Sequence, residues 1–240
     1  MSLEAKLKTE LIEHGADFVY FVNVSQLSKE QNKGYPNAIL LGIALSPGYL
    51  QEITNTQEYV RNMIRNNQTN NDEFHLKEIK TDRMADYISN SLKSKGFSAY
   101  SQSEDNIELT GFYDKEKKST PLPHKTIALL AGLGWIGKHN LLVTPKYGSA
   151  ISMCTVLTDA PLETVLYTPK ESQCGNCKIC INLCPTNALK GNSWNTSTSR
   201  DELIDVKKCN TCIKCLVLCP WTQAYMKKYI QKQNPLNNPD

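Results

Sequence analysis

The chain has 240 residues, of which 40% are hydrophobic and 21% are charged, and its formal net charge at pH 7 is +3. These values are typical of a soluble globular protein, and the charge is too small to indicate nucleic-acid binding by itself. The longest apolar runs are far shorter than the roughly 20 residues of a membrane-spanning helix. Because the N-terminal sequence is charged and amphipathic, unlike a signal peptide, we expect a cytoplasmic protein without membrane contact.

The first two thirds of the chain are predicted to contain both helices and strands. In chain order they are a helix over 3–14, strands over 17–24 and 37–45, helices over 51–66 and 76–95, a strand over 97–102, a helix over 124–132 and strands over 141–145 and 150–158. This order predicts an α+β fold whose N-terminal part is a layered α/β domain.

The sequence GLGWIGK, residues 132–138, has the glycine spacing of a dinucleotide-binding loop. Such a loop needs a strand before the glycines and a helix after them, whereas here a predicted helix precedes and Pro145 follows. A phosphate-binding P-loop is also disfavoured, because it requires Ser or Thr after the lysine and His139 stands there. We therefore interpret this segment, called the glycine loop below, as a helix-to-strand turn.

The nine cysteines are distributed unevenly along the chain. Only Cys154 precedes residue 170, and the other eight lie within residues 174–219. This change in composition predicts a domain boundary near residue 167. We assign residues 1–167 to the α/β domain, 168–230 to a cysteine-rich domain and 231–240 to a polar tail.

The eight clustered cysteines form two runs with the spacing C-x2-C-x2-C-x3-C-P. This is the pattern of bacterial ferredoxins with two [4Fe–4S] clusters, in which the fourth cysteine of each run ligates the other cluster. We therefore predict two clusters, each held by its own set of four cysteines. The first set is Cys174, Cys177, Cys180 and Cys219, and the second set is Cys209, Cys212, Cys215 and Cys184.

Two other uses of the clustered cysteines are less consistent with the spacing. Zinc sites usually pair two C-x2-C units across a longer loop, and a disulfide framework needs an oxidising compartment, which no feature of the sequence indicates. Cys154 lies in the apolar run AISMCTVLT, where a single cysteine is expected to be a small core residue.

The segment HKTIALLAGLGWIGKHNLLVTPKYGSAISMCTVLTDAPL, together with the two cysteine runs, resembles the epoxyqueuosine reductases. Those are cobalamin-dependent iron–sulfur proteins related to the reductive dehalogenases. The resemblance implies a base-off corrinoid held between the α/β domain, which binds it, and a two-cluster ferredoxin-like domain. The clusters would deliver electrons to the corrinoid, which would then reduce a substrate. The residues implied to lie near the corrinoid are Gly132, Gly134, Trp135, Gly137 and Lys138.

The resemblance also implies partners, namely an electron donor such as a flavodoxin or a ferredoxin and a small-molecule or tRNA substrate. One departure concerns the proton donor. The family carries an aspartate just before the position of His124, and here the stretch STPLPHK contains no carboxylate. His124 is then the candidate catalytic acid, although a polar residue at a helix start is also a common cap. The alternative function is a ferredoxin-type electron-transfer protein that docks a partner enzyme and has no catalytic centre.

Overall fold

The structure is a computed structural model that describes residues 2–233. The helices are α1 (Leu3–Glu13), α2 (Lys29–Asn32), α3 (Pro47–Asn55), α4 (Tyr59–Arg65), α5 (Glu73–Ser94), α6 (Glu104–Leu109), α7 (His124–Leu130), α8 (Ile179–Asn182), α9 (Arg200–Leu203), α10 (Lys214–Val217) and α11 (Pro220–Gln233). The strands are β1 (Phe18–Asn23), β2 (Asn37–Ala44), β3 (Ala99–Ser101), β4 (Trp135–Ile136), β5 (Leu142–Val143) and β6 (Ile151–Thr158).

Four of the strands form one sheet in the order β1-β2-β6-β3, and β4 pairs with β5 in a separate two-stranded sheet. The pairs β1–β2 and β3–β6 are antiparallel, with Phe18 opposite Gly42 and Ala99 opposite Thr158. Strand β2 is buried along nearly all its length, which is expected for a central strand that is covered on both faces. Antiparallel pairs combined with helices confirm the predicted α+β class.

Two compact units divide the described residues, and each is built from separate stretches of the chain. The first unit contains the residues up to Ile43 together with Leu76–Leu133 and Ser152–Pro169. Its core lies where α1 and α5 pack on the sheet, and its members include Leu7, Leu11, Ile39, Leu41, Met84, Ile88, Leu92, Cys154 and Val156. On α1 the two leucines are four residues apart, so they lie on one face of the helix.

The second unit contains Ala44–His75, Gly134–Ile151 and the described residues from Lys170 onward. Its main core joins α3 to α10 and α11, through Tyr49, Leu50, Ile53, Leu216, Val217 and Met226. The sequence-based assignment of residues 1–167 to one domain stays a prediction, and Ala44–His75 and Gly134–Ile151 of that range cluster with the second unit. Of the predicted polar tail, residues 231–233 continue α11 and residues 234–240 lie outside the described part.

The predicted elements agree with the structure except at one helix. The prediction of a single helix over 51–66 is wrong, because α3 ends at Asn55 and α4 begins at Tyr59. Between them Thr56 is extended and Glu58 has a left-handed φ of 55°, and neither conformation continues a right-handed helix. Within residues 2–233 no helix is long and apolar enough to cross a membrane.

Candidate functional site

The first set of cysteines comes together in the second unit, although Cys219 is far from the others in sequence. Cys180 lies in α8 and is buried, Cys219 directly precedes α11, and the N–H of Cys177 donates to the carbonyl oxygen of Cys174 at 3.0 Å. Burial, together with the smaller effect of the neighbouring thiols of Cys174, Cys177 and Cys219, raises the pKa of the Cys180 thiol to about 11. The four predicted ligands of one cluster therefore lie in one neighbourhood.

The second set forms a similar group around Cys215 in α10. Burial, together with the smaller effects of the nearby thiols of Cys212, Cys209, Cys180 and Cys184, raises the pKa of Cys215 to about 12. Burial also acts to raise the pKa of Cys184, but hydrogen bonds from Thr186 and from the N–H of Ala188 and Leu189 hold it below its ordinary value. Hydrogen bonds of this kind stabilise a thiolate, the form in which cysteine binds metals.

Across the described residues, no three His, Cys, Asp or Glu side chains are placed so as to hold a single metal ion. A cubane cluster differs from a single ion, because each thiolate binds a separate iron corner. An all-thiolate donor set is the one that iron–sulfur clusters use. The eight thiols therefore fit two clusters by donor chemistry and by their division into two groups of four.

Cys154 is separate from both sets. It lies in β6 and is fully buried in the core of the first unit. Burial raises the pKa of its thiol well above the ordinary value, and the carboxylate of Asp82 adds to this effect. A thiol in such surroundings stays protonated, as expected of a core residue.

The glycine loop ends α7 and enters the hairpin formed by β4 and β5. Gly132 follows the helix with a left-handed φ of 70°, which favours glycine, and its N–H donates to the carbonyl oxygen of Leu129 at 3.0 Å. A Cβ on Gly134 would overlap the carbonyl oxygen of Val143 and lie 2.9 Å from its carbonyl carbon. A Cβ on Gly137 would lie 2.7 Å from the His139 ring. The element order, helix before and strand after, is the reverse of a dinucleotide-binding loop.

Two side chains of the glycine loop contact the cysteine-bearing part of the second unit. Trp135 is 1% exposed, and its ring packs edge-on against Trp221 with the centroids 4.9 Å apart. The Nζ of Lys138 donates to the carbonyl oxygens of Gly175 at 2.7 Å and Cys177 at 3.2 Å. The sequence reasoning missed this link to the cysteines, because a contact between residues 37 positions apart leaves no periodic signal.

The turn after β5 reaches the start of α11, next to Cys219. The N–H of Ser149 donates to the Oγ1 of Thr222 at 3.0 Å, and the Ser149 hydroxyl lies 3.3 Å from Nε2 of His139. Gly148 has a φ of 59°, and a Cβ there would lie 2.5 Å from the Cα of Thr222. The backbone of this turn therefore packs directly on the first turn of α11.

His124, the candidate acid, begins α7 in the first unit. Its Nδ1 lies 3.0 Å from the Oγ1 of Thr155, and burial lowers the pKa of the ring to about 4. The imidazole is therefore neutral near pH 7, so the strongly acidic imidazolium form is scarce there. The catalytic role of His124 stays a prediction, and its titration is directly testable.

Replacing His124 with glutamine is expected to flatten the pH dependence of the free energy of unfolding. The folded pKa of about 4 lies below the ordinary 6.5, so the unfolded chain binds the proton first as the pH falls. Protonation of His124 should thus lower the free energy of unfolding of the wild-type protein as the pH falls below about 6.5, by up to about 1.4 kcal/mol per pH unit. Urea unfolding from about pH 7.5 to about pH 5 measures the slope. His14→Gln, at an exposed position, is the control, and equal slopes for wild type and His124→Gln would contradict the prediction.

No family model matches the chain. Among curated proteins it is 32% identical over 160 residues to the epoxyqueuosine reductase of Aliivibrio fischeri. This alignment covers 57% of this chain and 39% of the relative. It is 46% identical over 72 residues to the epoxyqueuosine reductase of Synechococcus sp. strain CC9605, covering 30% of this chain and 22% of the relative. The chain thus spans about two fifths or less of the length of these relatives.

Solved structures show the same fold at low sequence identity. An epoxyqueuosine reductase with an epoxyqueuosine-modified tRNA-Tyr stem loop matches with a TM-score of 0.56 and 15% identity, over 93% of this chain and 66% of that one. A reductive dehalogenase linked to B12-dependent dehalogenation matches with a TM-score of 0.60 and 16% identity, over 95% of this chain and 34% of that one. The chain is therefore epoxyqueuosine reductase-like, similar to these reductases in sequence over part of its length and sharing its fold with them and with reductive dehalogenases.

Proposed function

We propose that the chain is an iron–sulfur redox protein that passes electrons from two [4Fe–4S] clusters to a base-off corrinoid, for the reduction of an organic substrate. The observation that carries the proposal is the grouping of eight thiols into two sets, each drawn from both cysteine runs. Cross-ligation of this kind is the arrangement of two-cluster ferredoxins. The partial similarity to epoxyqueuosine reductases supports a reductase as the class of enzyme.

In this proposal the first set of cysteines holds one cluster and the second set holds the other. Bound clusters supply one-electron transfer. The protein supplies the fixed thiolates, and the burial of Cys180 and Cys219 keeps water from their sulfurs. Because Cys180 is close enough to raise the pKa of Cys215, the two sets are neighbours, which suits passage of an electron from one cluster to the other.

The likeness to a B12-dependent dehalogenase supports cobalamin as the acceptor, but the glycine loop does not support its binding there. The spaces beside Gly132, Gly134 and Gly137 are filled by Tyr167, Val143 and His139, which leaves no cradle for a flat ring at these positions. The indole Nε1 of Trp135 is a buried donor that lacks a partner in the described part of the chain. We therefore keep cobalamin in the proposal and assign no reaction step to the loop.

The names of the related proteins suggest the class of substrate. Epoxyqueuosine contains a carbon–oxygen bond of an epoxide, and the dehalogenases act on a carbon–halogen bond. We propose a substrate with such a carbon–heteroatom bond. A halide would be replaced by hydrogen as R–X + 2e⁻ + H⁺ → R–H + X⁻, whereas an epoxide would lose its oxygen to give an alkene and water, with two electrons and two protons consumed. A flavodoxin- or ferredoxin-type donor would deliver the electrons one at a time. An epoxyqueuosine-modified tRNA stem loop is the first substrate to test, because a solved relative holds one.

The alternative, a ferredoxin-type protein that serves a partner enzyme, is favoured by the filled spaces in the glycine loop and by the lack of a carboxylate in STPLPHK. It requires the same two clusters and no corrinoid. Cobalamin binding therefore separates the two functions.

Anaerobic purification, metal analysis and cobalamin titration test the proposal. We expect about eight irons per chain and a change in the visible cobalamin spectrum that saturates at about one equivalent. Iron without a cobalamin response would leave the electron-transfer alternative, and zinc in place of iron would overturn both. Incubation of the reduced protein with the stem loop, followed by mass spectrometry of the released nucleoside, then tests whether epoxyqueuosine is reduced.

A further inference from the structure

Lys138 is a buried cation in the second unit. Only 7% of its surface is exposed, and within residues 2–233 no carboxylate lies at ion-pair distance from its ammonium group. Its hydrogen bonds run instead to the carbonyl oxygens of Gly175 and Cys177. A buried charge is unfavourable unless a nearby opposite charge or strong hydrogen bonds offset the loss of water. Two carbonyl groups offset part of this loss, and an anionic group nearby would offset more.

Both acceptors belong to the turn Cys174–Cys177, which carries two thiols of the first set. The turn is closed by the hydrogen bond from the N–H of Cys177 to the carbonyl oxygen of Cys174, and Gly175 has a φ of 50°. An ammonium group has three donors, so Lys138 can hold both carbonyls at once. It thereby fixes the backbone that presents Cys174 and Cys177.

The other contacts of residues 134–149, called the support segment, converge on the remaining part of the first set. Trp135 packs on Trp221, and Ser149 binds Thr222, both within a few residues of Cys219. One continuous stretch of chain therefore contacts residues at or near three of the four predicted ligands of one cluster.

We propose that Lys138 is a positioning residue for the first cluster: it holds the turn Cys174–Cys177 and raises the reduction potential of that cluster by its positive charge. The inference rests on the proposed function, because it requires a cluster on the first set. A [4Fe–4S] cluster with four thiolates carries a charge of about −2, which becomes about −3 on reduction. A buried positive charge stabilises the reduced form more than the oxidised form, so the potential rises.

Three variants separate the charge of Lys138 from its hydrogen bonds. Lys138→Arg keeps both, Lys138→Gln keeps an amide donor without the charge, and Lys138→Met removes both. Lys178→Met is the matched control, because it removes an exposed lysine that directly follows Cys177 and whose charge is screened by water. The reduction midpoint of each cluster is measured by redox titration monitored by electron paramagnetic resonance, together with the iron content.

We expect Lys138→Gln and Lys138→Met to shift the reduction equilibrium of one cluster about tenfold toward the oxidised form, which is about 59 mV for one electron. Lys138→Arg and Lys178→Met should leave it near the wild-type value. The shifted signal should be the one that Cys219→Ala removes. Unchanged midpoints with full iron in Lys138→Met, or a shift of the other signal, would overturn the inference. Wild-type protein without iron would instead refute the proposed function.

Discussion

The double variant Cys219→Ala/Cys180→Ala is expected to retain about four irons per chain, whereas Cys219→Ala/Cys215→Ala is expected to retain almost none. The first pair removes two ligands of the same cluster, and the second removes one ligand from each. If each run held its own cluster, the outcome would be reversed, because Cys215 and Cys219 belong to one run. Iron and sulfide analysis after anaerobic purification distinguishes the two arrangements without assigning any spectrum.

Loss of iron by general misfolding has to be excluded in this experiment. Cys154→Ser is an unsuitable control, because it would place a hydroxyl in the core of the first unit. Cys154→Ala keeps the apolar character of the site and should retain about eight irons. Circular dichroism of each variant checks that the helices persist. Four irons in both double variants would contradict cross-ligation.

Replacing Gly134 with alanine is expected to destabilise the protein by about 3 kcal/mol. The new Cβ would overlap the carbonyl oxygen of Val143 in the paired strand and lie 3.2 Å from the Cα of Thr144, and backbone atoms in a hairpin cannot move aside singly. For a chain of this size the change lowers the midpoint of thermal unfolding by roughly 6–12 °C. Circular dichroism with slow heating under anaerobic conditions measures it.

Gly48→Ala is the control for this substitution. Gly48 lies in α3, and a Cβ there would contact only the Ser46 hydroxyl, at 4.0 Å. Alanine favours a helix over glycine by roughly 1 kcal/mol, so this variant should be neutral or more stable. A Gly134→Ala midpoint equal to that of Gly48→Ala would show that the hairpin accommodates the methyl group.

The predictable part of the fold is the part with local signals. Residues 76–95 have apolar side chains at helical spacing and end before a glycine, and α5 covers Glu73–Ser94. The break at Glu58 was not predictable, because a left-handed glutamate has no sequence signature of its own. The order β1-β2-β6-β3 was likewise inaccessible, since pairing of distant strands depends on packing of the whole unit.

For the candidate site, the ferredoxin spacing of the two cysteine runs predicts which thiols share a cluster, and that assignment stays a prediction. The glycine loop was a different case. The order of the elements around it predicted a turn, but the partners of Trp135 and Lys138 come from a distant part of the chain. The lowered pKa of His124 also depends on burial, which a single sequence does not specify.

The interleaved composition of the second unit has a consequence for biosynthesis. Tyr49, Leu50 and Ile53 leave the ribosome roughly 160 residues before Leu216 and Val217, the side chains that cover them. At 5–20 residues per second, that interval is roughly 8–30 s. During translation this apolar surface has no native cover, so we expect the nascent chain to need a chaperone. The first set of cysteines is likewise complete only after Cys219 has emerged from the ribosome.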